Sequence, residues 1–428
     1  MLPQFSKILE KLFVNRLDGF IEKFGLLSDH QYGFRSNRST SLAVMDFVEN
    51  LATAINDKQT SIGVFIDLRK AFDTIDHSLL LQKLERYGIR GVTNHRLRSY
   101  LNNRFQYVNI NNTESCLRRV MCGVPQGSVL GPKLFILYLN DIFTVSDVLK
   151  IVTFADDTNL LCSGEDIEEL LKTVEIELTK LKKWFDRNKL SLNEKKTKFM
   201  VFGGVPADFQ IKLYINGTEI ERVYESKFLG VIIDHKLSWK PHIQYIKGKL
   251  AKSVGILYKT RELLNKKCLH LLYFSLVVPY MSYCVEVWGN VYKTNIDPII
   301  KLQKKAIRII NKASYLESTN PLFIKSSTLK FVDIVYSKTL EIVFRAKSRS
   351  LPACIQRLFK LREGRYNLRG FCMFKTDEKA RINLKARCVS ILGIKLWNSL
   401  NDGLKLCTSQ ETFKKALKYK IIQEYSSE

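Results

Sequence analysis

Three carboxylates in this sequence sit where their residue type can do chemistry. Asp67 ends a run carrying the β-forming residues Ile62, Val64 and Ile66, and the Asp156-Asp157 pair separates two further apolar runs, 151–155 and 159–162. Taken alone, an Asp-Asp pair is common turn chemistry. At the ends of apolar strands, neighbouring carboxylates repel, and desolvation drives one of them to protonate unless a cation lies between them. A divalent metal removes that conflict. A third carboxylate on a neighbouring strand completes the oxygen-rich surroundings that Mg²⁺ prefers, with positions left for water and phosphate oxygens. Two such ions, about 3.5–4 Å apart, activate an attacking hydroxyl and stabilise a leaving pyrophosphate in an in-line displacement. Gln126 adds a polar side chain between Pro125 and Gly127, in a glycine-bounded loop where backbone can come close to a nucleotide.

Positioning these groups requires strands with helices around them. Apolar residues recur at helical spacing over 5–24 and 41–55, and the residues between are polar. A buried strand is expected over 61–67 and a helix from Asp76 to Tyr87 that closes on Gly88. Paired strands are expected at 104–110 and 117–121, and an apolar helix at 133–143. A hairpin follows, with Asp156, Asp157 and Thr158 at its turn, then a long amphipathic helix over 166–188. Further strands are expected at 198–202, 210–215 and 228–233. From about Lys240 the pattern turns helical, over 243–264, 267–276 and 296–311, while 361–383 has no clear period and reads as loop-rich. The fold class is α+β. The expected divisions are 1–60, 61–239, 240–320 and a basic region of unassigned role, 321–428.

The 428 residues, 46% hydrophobic, suffice for more than one core. Charge is unevenly placed. Residues 1–239 carry 32 basic and 29 acidic side chains, whereas 240–428 carry 36 and 13, which accounts for the net +26. So basic a second half suits a polyanion, either nucleic acid or a membrane surface. Nine cysteines without a C-x-x-C pair read as buried thiols of a reducing compartment, not as a disulfide frame or zinc site. Charged residues interrupt the first seventeen positions, as no secretory signal would allow. The most apolar stretch, 269–288, contains His270, Pro279 and Glu286 and reads as a buried helix with its exit turn, not a membrane span.

Motif order then becomes specific. Phe65-Ile66-Asp67-Leu68-Arg69-Lys70-Ala71-Phe72-Asp73, Gly123-Val124-Pro125-Gln126-Gly127-Ser128 and Phe154-Ala155-Asp156-Asp157 resemble, in sequence order, three motifs of non-LTR retrotransposon reverse transcriptases. Leu2-Pro3 with residues 7–11, Gln31-Tyr32-Gly33-Phe34-Arg35, Leu192-Asn193 with Lys196-Thr197, and Phe228-Leu229-Gly230 extend the resemblance. So do Val287-Trp288-Gly289, Gln303-Lys304-Lys305 with Arg308, and Leu396-Trp397-Asn398. The resemblance implies a right-hand polymerase, with incomplete fingers in 1–60, a palm in 61–239 and a helical thumb in 240–320. It implies that Asp67, Asp156 and Asp157 hold two Mg²⁺ ions, for which Mn²⁺ can substitute, with the Leu68 carbonyl as a backbone ligand and Asp157 nearest the primer terminus.

By the same resemblance, Phe72 lies under the incoming sugar, Gln126 touches the nucleotide and Lys196 assists pyrophosphate departure. Phe228, Leu229 and Gly230 form a primer grip, in which a tight backbone turn holds the primer end, though the pattern alone reads as a strand start, and Arg35 is a candidate nucleotide contact; Asp73 matches the motif too, but its spacing from Asp67 puts it beyond the metal cage and reads as structural. Lys301, Lys304, Lys305 and Arg308, at helical spacing, are the best basic patch for nucleic acid. The implied partners are an RNA template, a DNA primer and deoxynucleoside triphosphates, met inside the cell in nucleus or cytoplasm. The chain also departs from the family: it opens inside a motif, at Leu2-Pro3, so the finger strands that hold the triphosphate are expected to be missing, and neither an endonuclease domain nor a Cys/His knuckle is found. The alternative reading is a catalytically silent, nucleic-acid-binding relic.

Overall fold

Seven consecutive residues, Thr60–Ile66, are all buried, and five of them, Thr60, Ile62, Val64, Phe65 and Ile66, are β-branched or aromatic, as suits a central strand, β1. The computed structural model describes residues 4–204, 211–362, 373–375 and 379–426. Beside β1 lie β2 (Lys150–Phe154), β3 (Asp157–Gly164), β4 (Lys198–Phe202) and β5 (Glu221–Arg222), in the sheet order β5-β4-β1-β3-β2. β1 runs antiparallel to both β3 and β4, and β5 runs parallel to β4.

The helix Ile167–Arg187 starts where the Asp166 side chain accepts the Glu169 N–H, satisfying one of the amides that a helix start leaves open. Leu170, Val174, Leu178, Leu181 and Phe185 recur along one face and are buried, each contributing about 2 kcal/mol of apolar transfer. The expected helix over 133–143 divides: Gly131–Leu139 is α-helical and Asn140–Thr144 is a tighter 3₁₀ turn. The hairpin expected from 104–110 and 117–121 pairs only at Phe105–Gln106 with Arg118–Arg119, while Asn109–Ile110 folds back on Thr113–Glu114. Of the strand expected over 210–215 only Tyr214–Ile215 is formed among the described residues, and Gln210 lies outside them, as do Leu2-Pro3 and most of 361–383.

The chain separates into two compact units, residues 1–39 with 59–223, and residues 40–58 with 224–428. They part at Val223–Tyr224, ahead of the Lys240 expected from the change to a helical pattern, and the helix Thr40–Asn56 counts with the second. The reason is its surface. Leu42, Ala43, Val44, Met45, Phe47, Val48, Leu51 and Ala52 are buried around its whole circumference, so it must be enclosed by other helices. Its buried Glu49 pairs with the equally buried Lys385 Nζ at 3.2 Å and accepts the Ser390 N–H at 2.9 Å and hydroxyl at 2.7 Å. Only such full pairing makes a buried ion pair tolerable.

The remaining long helices of this unit are Lys240–Thr260, Lys266–Leu276, Lys293–Ile310, Phe331–Lys347 and Gln410–Glu424. The apolar stretch 269–288 divides between the helix Lys266–Leu276 and two short helices, Val278–Ser282 and Val285–Trp288, and among the described residues no helix is long and apolar enough to cross a membrane. Gln303 is buried, donating to Tyr273 Oη and the Leu329 carbonyl and accepting the Phe331 N–H, so it fastens helices and faces no ligand. Asn398 likewise pairs with both the N–H and carbonyl of Phe374. The eight described cysteines are free thiols, but Cys116, Cys122 and Cys268 are exposed, against the expectation of burial. Each stands in an exposed stretch of chain, where no core reaches it.

Candidate functional site

Strand register assembles the carboxylates. Ile66 of β1 faces Thr158 of β3, so Asp67, one residue on, comes level with the start of β3. Phe154 pairs with Asp157 and leaves Ala155 and Asp156 as a two-residue hairpin turn. Asp157 is therefore the first residue of β3, not part of the turn as the sequence pattern suggests. Partial desolvation pushes the Asp157 carboxyl above the ordinary carboxylate range, and repulsion from Asp156 and Asp67 adds to it. The three groups do not fall within 4.8 Å of one another, a spread wider than one ion's ligand shell. Mutually repelling carboxylates at a strand end, one of them resisting ionisation, are a donor set that divalent cations fit.

The Asp67 carboxylate and the turn that carries Asp156 are each braced. Asn193 donates from Nδ2 to Asp67 Oδ2 at 2.8 Å, and its backbone N–H bonds the Asp67 carbonyl at 2.9 Å. The two-residue strands Leu68–Arg69 and Ser191–Leu192 pair beside it and hold that contact in register. Sequence reasoning did not assign Asn193 a role; its signal was the Leu192-Asn193 motif, but the contact depends on a strand pair too short to read. Around the hairpin turn, Ala155 takes φ 57°, a left-handed conformation costing about 1 kcal/mol for a residue with a side chain. The segment 30–35 closes on it: Tyr32 N–H bonds the Thr153 carbonyl at 2.8 Å, and Gln31 Oε1 accepts from Gly33 N–H at 2.8 Å and Ala155 N–H at 3.3 Å. At Gly33 a Cβ would come within 2.3 Å of the Ala155 nitrogen, so only glycine fits. Arg35 Nη1 donates to the Ser28 and Gln31 carbonyls and so ties this segment to itself.

Phe72 lies flat on Phe135, 4.1 Å between centroids, and meets Phe34 edge-on at 6.3 Å. A ring so clamped is rigid. Gln126 Nε2 donates to Asp73 Oδ1 at 2.9 Å, and Val124 N–H bonds the Phe72 carbonyl at 3.0 Å, fixing the glycine-bounded loop against the turn after β1. The buried Glu10 holds the far end of that loop, accepting the N–H groups of Val129 and Leu130 at 2.6 and 3.2 Å. A cleft of about 1180 Å³ opens beside the loop, lined by Lys70, Asp73, Arg104, Arg119 and Gln126 among others. Lys196 is exposed on the turn after Asn193, whose carbonyl accepts its N–H at 3.0 Å.

In the second unit, Phe228-Leu229-Gly230 does not begin one strand over 228–233. It forms the turn between β6 (Glu225–Phe228) and β7 (Val231–Asp234), with φ of 44° at Leu229 and 85° at Gly230. Tyr283 Oη donates to the Leu229 carbonyl at 2.7 Å, and Phe228 packs on Phe47 at 5.3 Å. His242 Nδ1 accepts the Ile232 N–H at 3.2 Å, and burial pushes this imidazole down to about 4. On Lys293–Ile310, Lys301, Lys304 and Lys305 are exposed along one face, whereas Arg308 is partly shielded and donates to the Glu317 carbonyl at 2.9 Å.

Residues 1–233 match the family model described as "Reverse transcriptase (RNA-dependent DNA polymerase)". The chain is 32% identical over 337 residues to the probable RNA-directed DNA polymerase from transposon BS of Drosophila melanogaster, 74% of this chain and 36% of that protein. It is 28% identical over 343 residues to the RNA-directed DNA polymerase from mobile element jockey of the same fly, 75% of this chain and again 36% of that protein. The X-element polymerase is 27% identical, with 77% and 36% covered. The chain thus spans about 36% of the length of these relatives. Among solved structures, apo telomerase from Candida tropicalis aligns with a TM-score of 0.40 and 14% identity, over 81% of this chain and 59% of that one. With its family model matched over more than half its length, the chain belongs to the reverse transcriptase family.

Proposed function

We propose that this chain adds deoxynucleotides to a primer 3′-hydroxyl on an RNA template, the reaction for which its retrotransposon relatives are named. The observation that carries the reading is the register of β1, β2 and β3, which brings Asp67, Asp156 and Asp157 to one sheet end with Asp157 resisting ionisation. Asp67, Asp156 and Asp157, with the Leu68 carbonyl, would hold the metal, two Mg²⁺ ions or Mn²⁺ in their place. Bound there, such ions supply charge for an attacking hydroxyl and a departing pyrophosphate. Asn193 keeps the Asp67 carboxylate turned in one direction. Phe72, clamped by Phe135 and Phe34, presents a rigid ring to a sugar, against which a 2′-hydroxyl would clash. Gln126, steadied by Asp73, contacts the nucleotide. Lys196, exposed and unpaired by any ion pair among the described residues, donates toward the leaving group. Arg35 shapes the loop under the hairpin turn.

The first unit is then the palm with residual fingers, and the helices from Lys240 onward are thumb and tail. The turn Phe228-Leu229-Gly230 holds the primer end, and Lys301, Lys304, Lys305 and Arg308 meet phosphates. The protein would act inside the cell, in nucleus or cytoplasm. Purified chain with Mg²⁺ should extend a DNA primer on an RNA template. Asp156→Asn should lower that rate at least about a thousandfold, roughly 4 kcal/mol in the barrier, while hybrid binding persists. Salt-sensitive hybrid binding without extension by the wild-type chain would sink the reading and favour the relic.

A further inference from the structure

Eleven Lys and Arg stand against three Asp and Glu between residues 353 and 395. Six of those cations, Arg357, Lys360, Lys375, Lys379, Arg381 and Lys395, surround one cavity of about 640 Å³ in the second unit. Among the described residues no carboxylate lines it, all six cations are exposed, and none of the six is in an ion pair. Six like charges gathered round one hollow repel, so the arrangement favours an anionic ligand that supplies several charges at once.

The rim is built, not incidental. Arg381 N–H donates to Asn56 Oδ1 at 2.7 Å and the Lys379 carbonyl accepts from Asn56 Nδ2 at 3.4 Å, which pins one side to the end of the helix Thr40–Asn56. On the other side Lys375 N–H bonds the Lys360 carbonyl at 2.7 Å. Below, Leu358, Ile391 and Ile394 give an apolar floor beside Ser390, which the buried Glu49–Lys385 pair holds in place. A hollow with a cationic rim and an apolar floor suits a chain whose charges and flat apolar groups alternate. We infer that this cavity is a second nucleic-acid site, taking single-stranded RNA with phosphates on the rim and a base on the floor. The inference stands on this unit's geometry and does not depend on the polymerase reading.

The test measures binding of a fluorescent 20-nucleotide single-stranded RNA to the full chain across a salt series. Lys360→Gln/Lys375→Gln/Lys395→Gln is compared with a control, Lys267→Gln/Lys415→Gln/Lys418→Gln, which removes equal charge from exposed lysines elsewhere in the unit. The cavity variant should flatten the log–log salt slope by about 2 and weaken binding at least about tenfold, and the control should do less. Equal losses in the two variants would mean diffuse surface attraction and overturn the inference. A loss confined to duplex RNA of the same length would overturn the single-strand assignment. Photocrosslinking of wild-type chain to 4-thiouridine RNA supplies a measurement free of any folding defect in the variants: crosslinks should map to 357–360 and 386–395, and their absence there would equally defeat it.

Discussion

Two hairpin turns of two residues each carry part of the proposed chemistry of this molecule, and they are held in different ways. The turn Ala155-Asp156 places its one positive φ on an alanine and carries a charged, half-buried group; the turn Leu229-Gly230 has positive φ at both residues and no charge. The second is ordinary hairpin geometry, in which left-handed residues match the twist of the strands. Both turns set one residue with a side chain at a positive φ, but the first is also held from outside, by the segment 30–35 with Gly33 against the Ala155 nitrogen. That brace keeps the carboxylates at one height, where an unbraced turn would let them spread. The uncharged turn needs only a tether, the hydroxyl of Tyr283.

Among changes that leave every proposed metal ligand in place, removing the brace should cost most. Gly33→Ala inserts a methyl where 2.3 Å is available, and displacing the turn by about 1 Å should lower extension at least about a hundredfold, measured on primer and template with binding as the control. Next comes the imidazole beneath the second hairpin. Burial lowers the His242 imidazole to about 4, against about 6.5 for an ordinary imidazole, so the unfolded chain binds the extra proton between those values. Stability should therefore fall as pH drops through that window, by about 1.4 kcal/mol at pH 5.5, and a denaturant series on His242→Leu should lack that slope. Tyr283→Phe leaves the Leu229 carbonyl without its donor and should destabilise by about 1 kcal/mol, with a higher KM for primer and an unchanged kcat. The smallest effect is on stability, at the residue that follows the charged turn. Asp157 has a raised folded pKa, so its ionisation weakens the fold above the ordinary carboxylate range; Asp157→Asn should stabilise at neutral pH by under about 1 kcal/mol, the gain vanishing as pH falls below that range. Extension would be lost in the same variant, which separates stability from activity.

The charged site was largely legible in sequence because strands announce themselves. Ile62, Val64 and Ile66 mark β1, and the apolar runs flanking Asp156 mark β2 and β3, so three aspartates at strand ends could be read without coordinates. What held them could not. Asn193 reaches Asp67 across a strand pair of two residues, below the length at which alternation shows. The residue pattern reads the second hairpin as one strand, and only the family resemblance implies a turn there, because Leu229 carries a positive φ that leucine ordinarily avoids and nothing in Phe-Leu-Gly-Val marks a turn except the glycine. The helix Thr40–Asn56 was legible as a helix, but its membership of the second unit depends on an all-round apolar surface finding partners far along the chain.

That distance has a consequence during synthesis. Glu49 meets Lys385 only after 336 further residues have been made, which at about 5–20 residues per second is roughly 20–70 s. Throughout that interval a helix with apolar residues on every side, and a carboxylate awaiting its ammonium, leaves the ribosome ahead of the segments that will enclose it. The first unit meanwhile needs nothing beyond Val223 to close its sheet. Folding order is thus inverted with respect to chain order for one helix, which makes it the segment most in need of a chaperone and the first to aggregate if translation stops early.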